Sequence, residues 1–199
     1  MAFSFFFRDH FILERLAEVV ANEVLGKKEI KIWDAGCALG QEPFTFAILL
    51  SEKVGYFTFK RVKIYATDID ETGEFERTIK AGIYPKKDLE RIPNEILEKY
   101  FIKYDEDSYK IVEELHRKVV FVKHNLLDLK PFETGFDAII CKNVLLHFIY
   151  SDRVKVMEMF YWSLKDGGYL AVEQTQKIPK ELENKFVQLF GDVSIFKKV

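Results

Sequence analysis

The stretch from Lys31 to Ala47 constrains the fold more than any other part of this 199-residue chain. Its apolar start predicts a buried strand at 30–35, which runs into the turn Gly36-Cys37-Ala38-Leu39-Gly40. A helix is expected at 42–54, because Pro43 suits a first helical turn and apolar residues recur on one face behind it. A strand, a glycine-bearing turn and a helix N-terminus together form a common cradle for nucleotide-like ligands.

The glycine spacing, G-x-x-x-G, is neither the G-x-G-x-x-G of dinucleotide binders nor a phosphate-binding P-loop. A tight turn without a ligand remains the alternative for this stretch alone. A second apolar strand, predicted at 62–67, ends in Asp68, where an acidic residue commonly accepts from the hydroxyl pair of a ribose. Asp68 would serve equally well as a helix N-cap. Both stretches together favour a nucleoside ligand, and S-adenosylmethionine fits better than a dinucleotide because nothing here is shaped for a pyrophosphate.

Strands and helices alternate along most of the chain, which predicts a doubly wound, mainly parallel α/β sheet with ligands beyond the carboxyl ends of its strands. The predicted helices lie at 10–25 (before Gly26), at 42–54 and at 71–81 (before Gly82). A further helix, capped by Ser151 or Asp152, is expected to run to about Lys165 and to be closed by Gly167-Gly168. The further predicted strands lie at 118–123, 136–141 and 169–174.

Two segments interrupt the alternation. Residues 101–112 read as two extended pieces around the polar turn 105–108, which predicts a hairpin. We interpret it as a small antiparallel β insertion at about 101–118 within a single domain spanning 1–199. In the tail, 179–198, apolar residues at helical spacing compete with a turn at Gly191-Asp192, so helix and hairpin both remain open.

Composition sets the class of partner and compartment. The net charge of −2 gives no reason to expect nucleic acid as a partner, and no run is long enough for membrane insertion. Cys37 and Cys141 show neither a pairing pattern nor a metal pattern, so we expect small core residues in a cytoplasmic protein. The histidines at 10, 116 and 124 share no spacing, so no metal is expected.

Four polar or glycine residues follow the ends of four different predicted strands: Gly36, Asp68, Asn125 and Asn143. Four independent core strands have no structural need to end in ligand-type residues. This convergence is the strongest argument from the residues alone that a binding site lies at one edge of the sheet.

An ordered set of motifs resembles the chemotaxis receptor methyltransferases of the CheR type, which use S-adenosylmethionine to methylate glutamate side chains. The set covers almost the whole chain, and its order is more specific than any single motif. It comprises SFFFR (4–8), IWDAGCALGQEPFTFA (32–47), ATDID (66–70), AGIY (81–84), IPNEILEKYF (92–101), NLLD (125–128), FDAIICKNVLLHF (136–148) and DGGYL (166–170).

The resemblance implies a role for each matching position. Ser4 and Arg8 fall on the methionine end of the cofactor, and Asp68 falls on its ribose with Ile69 against the adenine. The remaining implied contacts are Gly36, Gly40, Glu42, Asn125-Leu126 and Asn143-Val144. The hairpin at 104–118 matches the family's small β-subdomain, where some members dock a receptor tail, so chemoreceptor cytoplasmic helices are the implied partner.

This sequence departs from the family pattern at four places. Ser4 replaces the threonine of T-x-F-F-R, and Gln41-Glu42 replaces an acidic pair before proline. His147 stands where the family has a tyrosine, beside the expected site of transfer. The helical domain that normally precedes the F-F-R motif, and is associated with substrate recognition, is not part of this sequence.

Methyl transfer to a carboxylate needs no general base, because the carboxylate is already ionised at neutral pH. The protein must position the reactants and exclude water. We expect Arg8 and His147 to act at the reacting end, Arg8 by holding a carboxylate. The alternatives are a surface cation beside an apolar anchor for Arg8, and a histidine satisfied by backbone for His147.

The sequence therefore predicts an S-adenosylmethionine-dependent methyltransferase acting on chemoreceptor glutamates. Two alternatives remain open at this point. One is a non-catalytic cofactor-binding regulatory module, and the other is a methyltransferase acting on a small molecule.

Overall fold

Two β-sheets and six α-helices make up the computed structural model, which describes residues 4–24 and 26–199. The strands are β1 (Ile30–Ala35), β2 (Val62–Asp68), β3 (Ile83–Pro85), β4 (Phe101–Lys103), β5 (Ser108–Ile111), β6 (Val119–Lys123), β7 (Phe136–Cys141), β8 (Leu164–Val172), β9 (Phe186–Gln188) and β10 (Ile195–Lys198). The helices are α1 (His10–Glu23), α2 (Gln41–Phe59), α3 (Glu74–Ala81), α4 (Asn94–Tyr100), α5 (Glu113–His116) and α6 (Tyr150–Ser163).

The main sheet has the order β6-β2-β1-β7-β8-β10-β9. The first five of these strands run parallel, whereas β10 pairs antiparallel with both β8 and β9. The predicted doubly wound, mainly parallel fold is therefore confirmed. The strand order reverses between β1 and β7, and in sheets of this kind ligands bind beyond the carboxyl ends of the strands at that point.

The side chains of the central strands alternate between two hydrophobic clusters. Ile30 and Ile32 pack with α1 and α2 on one face of the sheet, while Trp33 and Ala35 pack with α6 on the other. This alternation follows from the two-residue period of a strand. Asp34 consequently lies on the α1 and α2 face, where it is fully buried.

The predicted boundaries near the C-terminal half need correction. β8 begins at Leu164, not at Tyr169, and α6 ends at Ser163. Gly168 lies inside the strand rather than closing a helix, and a Cβ there would lie 2.9 Å from the carbonyl oxygen of Lys165. The N-cap of α6 is Ile149 and makes no side-chain capping bond, so neither Ser151 nor Asp152 caps the helix.

The antiparallel insertion is wider than its sequence pattern suggests. The predicted hairpin is present as β4 and β5, but β3 adds a third strand on the other side of β5. The sequence did not predict this strand because it contains Pro85, and proline is tolerated in a sheet only at an edge or a bulge. The tail forms a hairpin of β9 and β10, which settles the alternative left open by the sequence.

Two helices differ from expectation at their ends. α2 extends to Phe59 across a kink at Gly55, whose φ of 70° is not helical. α1 ends at Glu23, and the predicted end at Leu25 lies outside the described residues. Within the described residues, no helix combines the length and apolar character that crossing a membrane requires.

Candidate functional site

A cavity of about 610 Å³ opens where β1, β2, β6 and β7 end, together with the segment before α1. Its size falls within the range of about 300–1,000 Å³ typical of small-molecule sites. The sequence-predicted residues that line it are Ser4, Arg8, Gly36, Glu42, Asp68, Ile69, Asn125, Leu126, Asn143, Val144 and His147. The structure thus brings together residues that are up to 143 positions apart in the chain, from Ser4 to His147.

Gly40 is the exception among the predicted site residues. It is buried at the N-cap of α2, and a Cβ there would lie 2.6 Å from Ile79 and 2.8 Å from the hydroxyl of Tyr84. Its φ of +94° also favours glycine. Gly40 does not line the cavity, so its glycine is explained by packing against α3 and β3 rather than by a ligand.

Gly36 lies at the floor of the cavity in a turn held by the neighbouring strand. Its amide and that of Cys37 both donate to the carbonyl of Thr67, at 2.8 and 3.0 Å. Its φ is +97°, and a Cβ would lie 2.2 Å from Cγ2 of Val144. A side chain at this position would therefore displace a residue that itself lines the cavity.

Asp68 fastens the turn after β1 to the end of β2. One oxygen of its carboxylate accepts from the amide of Ala38 at 2.9 Å, and the other accepts from the amide of Ile69 at 2.8 Å. The helix-capping alternative for Asp68 is excluded, because the carboxylate that accepts from the first turn of the next helix, α3, is that of Asp70. The Asp70 carboxylate accepts from the amides of Phe75 and Glu76, at 3.1 and 3.0 Å, in the first turn of α3.

The two asparagines present their side chains from short turns after β6 and β7. Asn125 accepts from the amide of Leu127 at 3.0 Å, which caps a 3₁₀ turn at Leu126–Asp128. Asn143 has a φ of 59°, a left-handed conformation that asparagine tolerates better than most residues. Leu126 and Val144 follow them and supply apolar wall to the cavity.

The segment before α1 forms another wall of the cavity. Phe6 is fully buried, with edge-to-face contacts to Tyr84 and Phe101 at centroid distances of 4.9 and 5.3 Å. The amide of Phe7 donates to the hydroxyl of Thr45 at 3.1 Å, and that hydroxyl donates to the carbonyl of Gln41 at 2.6 Å. Arg8 thus directly follows two anchored residues, of which Phe6 packs against Tyr84 and Phe101 and Phe7 bonds to Thr45.

Charges concentrate beneath this segment. The ammonium of Lys142 lies 3.0 Å from a carboxylate oxygen of Glu42, and the Lys142 side chain is only 1% exposed. Burial raises the pKa of Glu42, while Lys142 and Arg8 oppose that rise. Burial raises the pKa of Asp34 well above its usual value, and the nearby Glu42 adds to the effect. Neither oxygen of Asp34 has a hydrogen-bond partner among the described residues.

The two cysteines are buried, whereas the histidines occupy different environments. Cys37 and Cys141 are buried, and burial raises the pKa of both thiols well above the usual value. The prediction of core residues is confirmed. His147 is exposed and lines the cavity. His116 bonds to the carbonyl of Ile79 at 2.8 Å, away from the site.

The lining of the cavity also includes residues that the sequence did not assign to the site, among them Thr45, His124 and Lys142. Lys142 had a usable signal, because it follows a strand of six buried residues directly and precedes Asn143. Thr45 had none, since a threonine within a helix is common. Glu173, which the sequence leaves unassigned, is buried after β8 and does not line the cavity, and Gln174 is exposed.

A comparison with protein families adds an independent observation. Residues 2–195 match the family described as CheR methyltransferase, SAM binding domain. The chain belongs to this family. The match confirms the resemblance found in the motifs, and the family's description names S-adenosylmethionine as what the domain binds.

Curated relatives agree with the membership in the CheR family, and a solved structure shares the fold. A chemotaxis protein methyltransferase of Borreliella burgdorferi is 36% identical over 88% of this chain and 64% of its own length. Chemotaxis protein methyltransferase 2 of Vibrio cholerae serotype O1 is 29% identical over 89% of this chain and 62% of its own. The chain thus spans less than two thirds of either relative. The structure of DszA carbon methyltransferase aligns with a TM-score of 0.54 at 17% identity, over 85% of this chain and 36% of that one, which shows a shared fold.

Proposed function

We propose that this chain is an S-adenosylmethionine-dependent methyltransferase that transfers the methyl group to glutamate side chains of chemoreceptor cytoplasmic helices. The family match and the chemotaxis relatives support the reaction class and the partner. The observation that carries the proposal is that the strand-end residues and the Arg8 segment meet in a single cavity.

The chemistry of the cavity wall fits the cofactor from end to end. Asp68 provides a carboxylate for two ribose hydroxyls, and Ile69 with Asn125-Leu126 provides apolar and amide contacts for the adenine. At the other end, Glu42 is suited to the α-ammonium group, and Arg8 with Ser4 is suited to the α-carboxylate. Asn143 and Val144 follow β7, which lies next to β1 in the sheet.

When bound, the cofactor supplies a methyl group already activated on a sulfonium. The residues of the chain then have to hold the acceptor carboxylate in line with it and keep water out, with reacting atoms about 3–3.5 Å apart. An ionised carboxylate needs no proton removed, so the site requires no base. His147, at the exposed rim, would orient the acceptor by hydrogen bonding.

Methyl transfer with a labelled cofactor tests the proposal. The protein is incubated with labelled S-adenosylmethionine and either receptor cytoplasmic fragments or a small-metabolite mixture. Label on the receptor that is released by base, as a methyl ester is, supports the proposal. Receptor fragments with the target glutamates changed to alanine are the control. Label on metabolites alone would establish a small-molecule enzyme, and binding without transfer would establish a regulatory module.

A further inference from the structure

Lys142 is a buried lysine whose contacts lie at the proposed cofactor site. Its side chain is 1% exposed, and its ammonium lies 3.0 Å from Glu42 and 3.5 Å from the carbonyl oxygen of Arg8. Lysine is almost never fully buried unless it is paired. The two contacts join the end of β7 to the first turn of α2 and to the segment that carries Arg8.

The position of Lys142 follows from the strand that precedes it. Ala138 and Ile140 of β7 point into the cluster with α1 and α2, so Lys142, two residues further on, projects from the same face. Asp34 pairs with Ile140 in the sheet and lies on that face as well. Three ionisable side chains, those of Asp34, Glu42 and Lys142, therefore meet under the segment before α1.

The balance of charge favours one ion pair. Burial raises the pKa of Asp34 well above its usual value, and its oxygens have no hydrogen-bond partner among the described residues. Glu42, by contrast, has Lys142 in direct contact and Arg8 nearby. Buried ion pairs are often no more stable than apolar residues of similar volume, so stability alone is a weak reason for this one.

We propose that Lys142 is a positioning residue for cofactor binding, which fixes the carboxylate of Glu42 and the backbone at Arg8 in one geometry. This inference rests on the proposed function, in which both residues contact the methionine end of the cofactor. Without Lys142, the Glu42 carboxylate loses its partner and the Arg8 carbonyl loses its side-chain contact to β7. Lys142 itself acts through these groups.

Calorimetry with S-adenosylhomocysteine tests the positioning role. Lys142→Met should weaken binding by about ten-fold or more, the loss expected for one hydrogen bond to a charged group. Lys142→Arg should recover most of the affinity, because arginine keeps the cation. Lys198→Met is the matched control, since Lys198 is also buried and donates to a backbone carbonyl, that of Leu164, far from the cavity.

A double-mutant cycle separates positioning from a general structural role. If Lys142 acts through Glu42, the losses in Lys142→Met and Glu42→Gln should not add, and the double variant should bind about as weakly as either single variant. If Lys142→Met alone fails to fold, the double variant, which removes both charges, is compared with Glu42→Gln and should bind about as weakly. Fully additive losses, or wild-type affinity in Lys142→Met, would overturn the inference.

Trypsin cleavage of the unliganded protein gives a readout that does not need the cofactor. The carbonyl that Lys142 contacts belongs to the Arg8–Asp9 peptide bond, which is a trypsin site. Lys142→Met should be cut there faster than both the wild type and Lys198→Met, because local opening becomes easier. Equal cleavage rates in Lys142→Met and the wild type would contradict the inference that Lys142 holds this segment in place. If the wild type itself fails to bind S-adenosylhomocysteine, the proposed function fails, and the cleavage rates then test only whether Lys142 holds the segment before α1 in place.

Discussion

At the scale of single residues, Asp68 and Asp70 belong to one short motif but bond to different parts of the structure. Both carboxylates accept two backbone amides, but those of Asp68 belong to the cavity wall and those of Asp70 belong to α3. The sequence placed Asp68 at the end of a strand, where ribose binding is one expected role. It offered no means of separating ribose binding from helix capping, because either role uses a carboxylate with free lone pairs.

The two aspartates should therefore respond differently to alanine. Asp68→Ala is expected to weaken the binding of S-adenosylhomocysteine by at least about ten-fold, since it removes a charged acceptor for two hydroxyls. Asp70→Ala should lower the free energy of unfolding by about 1 kcal/mol, the usual cost of a lost helix cap, and leave affinity nearly unchanged. Calorimetry and urea denaturation measure the two effects. Equal affinities of Asp68→Ala and wild type would refute the ribose assignment.

Asp34 predicts an unusual dependence of stability on pH. Its pKa is raised in the folded protein, so the unfolded chain loses this proton first as the pH rises from about 4. The raised pKa therefore costs stability above about pH 4. Asp34→Asn should remove that cost, and the variant should exceed the wild type by about 1–3 kcal/mol near pH 7 but match it near pH 4. Urea titrations across this range measure the difference, and a constant gap would contradict the assignment.

His147 is expected to orient the acceptor rather than to remove a proton. His147→Tyr, which restores the residue of the resembled family, should retain or raise turnover. His147→Ala should lower turnover more than cofactor affinity. The pH profile separates the roles, because a general base acts only in its unprotonated form and would make the rate fall as the pH is lowered. A dead His147→Tyr variant with such a profile would point instead to an amine or hydroxyl acceptor.

At the scale of elements, the sequence predicted strands best where they are buried on both faces. The apolar runs of β1, β2 and β7 are unmistakable, and their predicted ends agree with the structure to within a residue. The sequence did not predict β3 or the start of β8, because Pro85 and Gly167-Gly168 are residue types that commonly mark turns and the ends of elements. Pairing with β5 makes Ile83–Pro85 a strand, whereas Gly167-Gly168 lie in a register shift of β8, between the pair Phe136 with Leu164 and the pair Ala138 with Tyr169.

The segment before α1 is the element that the sequence described least well. Its aromatic residues read as an apolar anchor, yet the partners of Phe6 lie in the antiparallel insertion, at Tyr84 and Phe101.

Phe6→Ala should cost about 3–5 kcal/mol of folding free energy and loosen the wall that carries Arg8, which weakens S-adenosylhomocysteine binding. Phe6→Leu should lose less of both. Phe186→Ala, buried near α6 on the other face, is the control that should lose stability without a comparable loss of affinity. Unchanged affinity in Phe6→Ala would contradict the coupling.

At the scale of the whole molecule, the order of the strands creates the site. The strands that end in Gly36, Asp68, Asn125 and Asn143 are neighbours in the sheet as β1, β2, β6 and β7. The sequence predicted that these residues would share one edge, because parallel strands have their carboxyl ends together. The ion pair of Lys142 with Glu42 could not be predicted from the sequence, because it depends on how α2 and the segment before α1 pack against the sheet.

The central claim is that residues from five separate stretches bind a single cofactor in this cavity. Titration of the isotope-labelled protein with S-adenosylhomocysteine, followed by amide chemical shifts in nuclear magnetic resonance spectra, tests it most directly. We predict saturation at one ligand per chain, with the large shifts confined to the amides of 4–8, 36–42, 67–69, 124–127 and 142–147. Large shifts confined to β9 and β10, or to the region between α2 and α5, would contradict the account, as would the absence of any saturable shift.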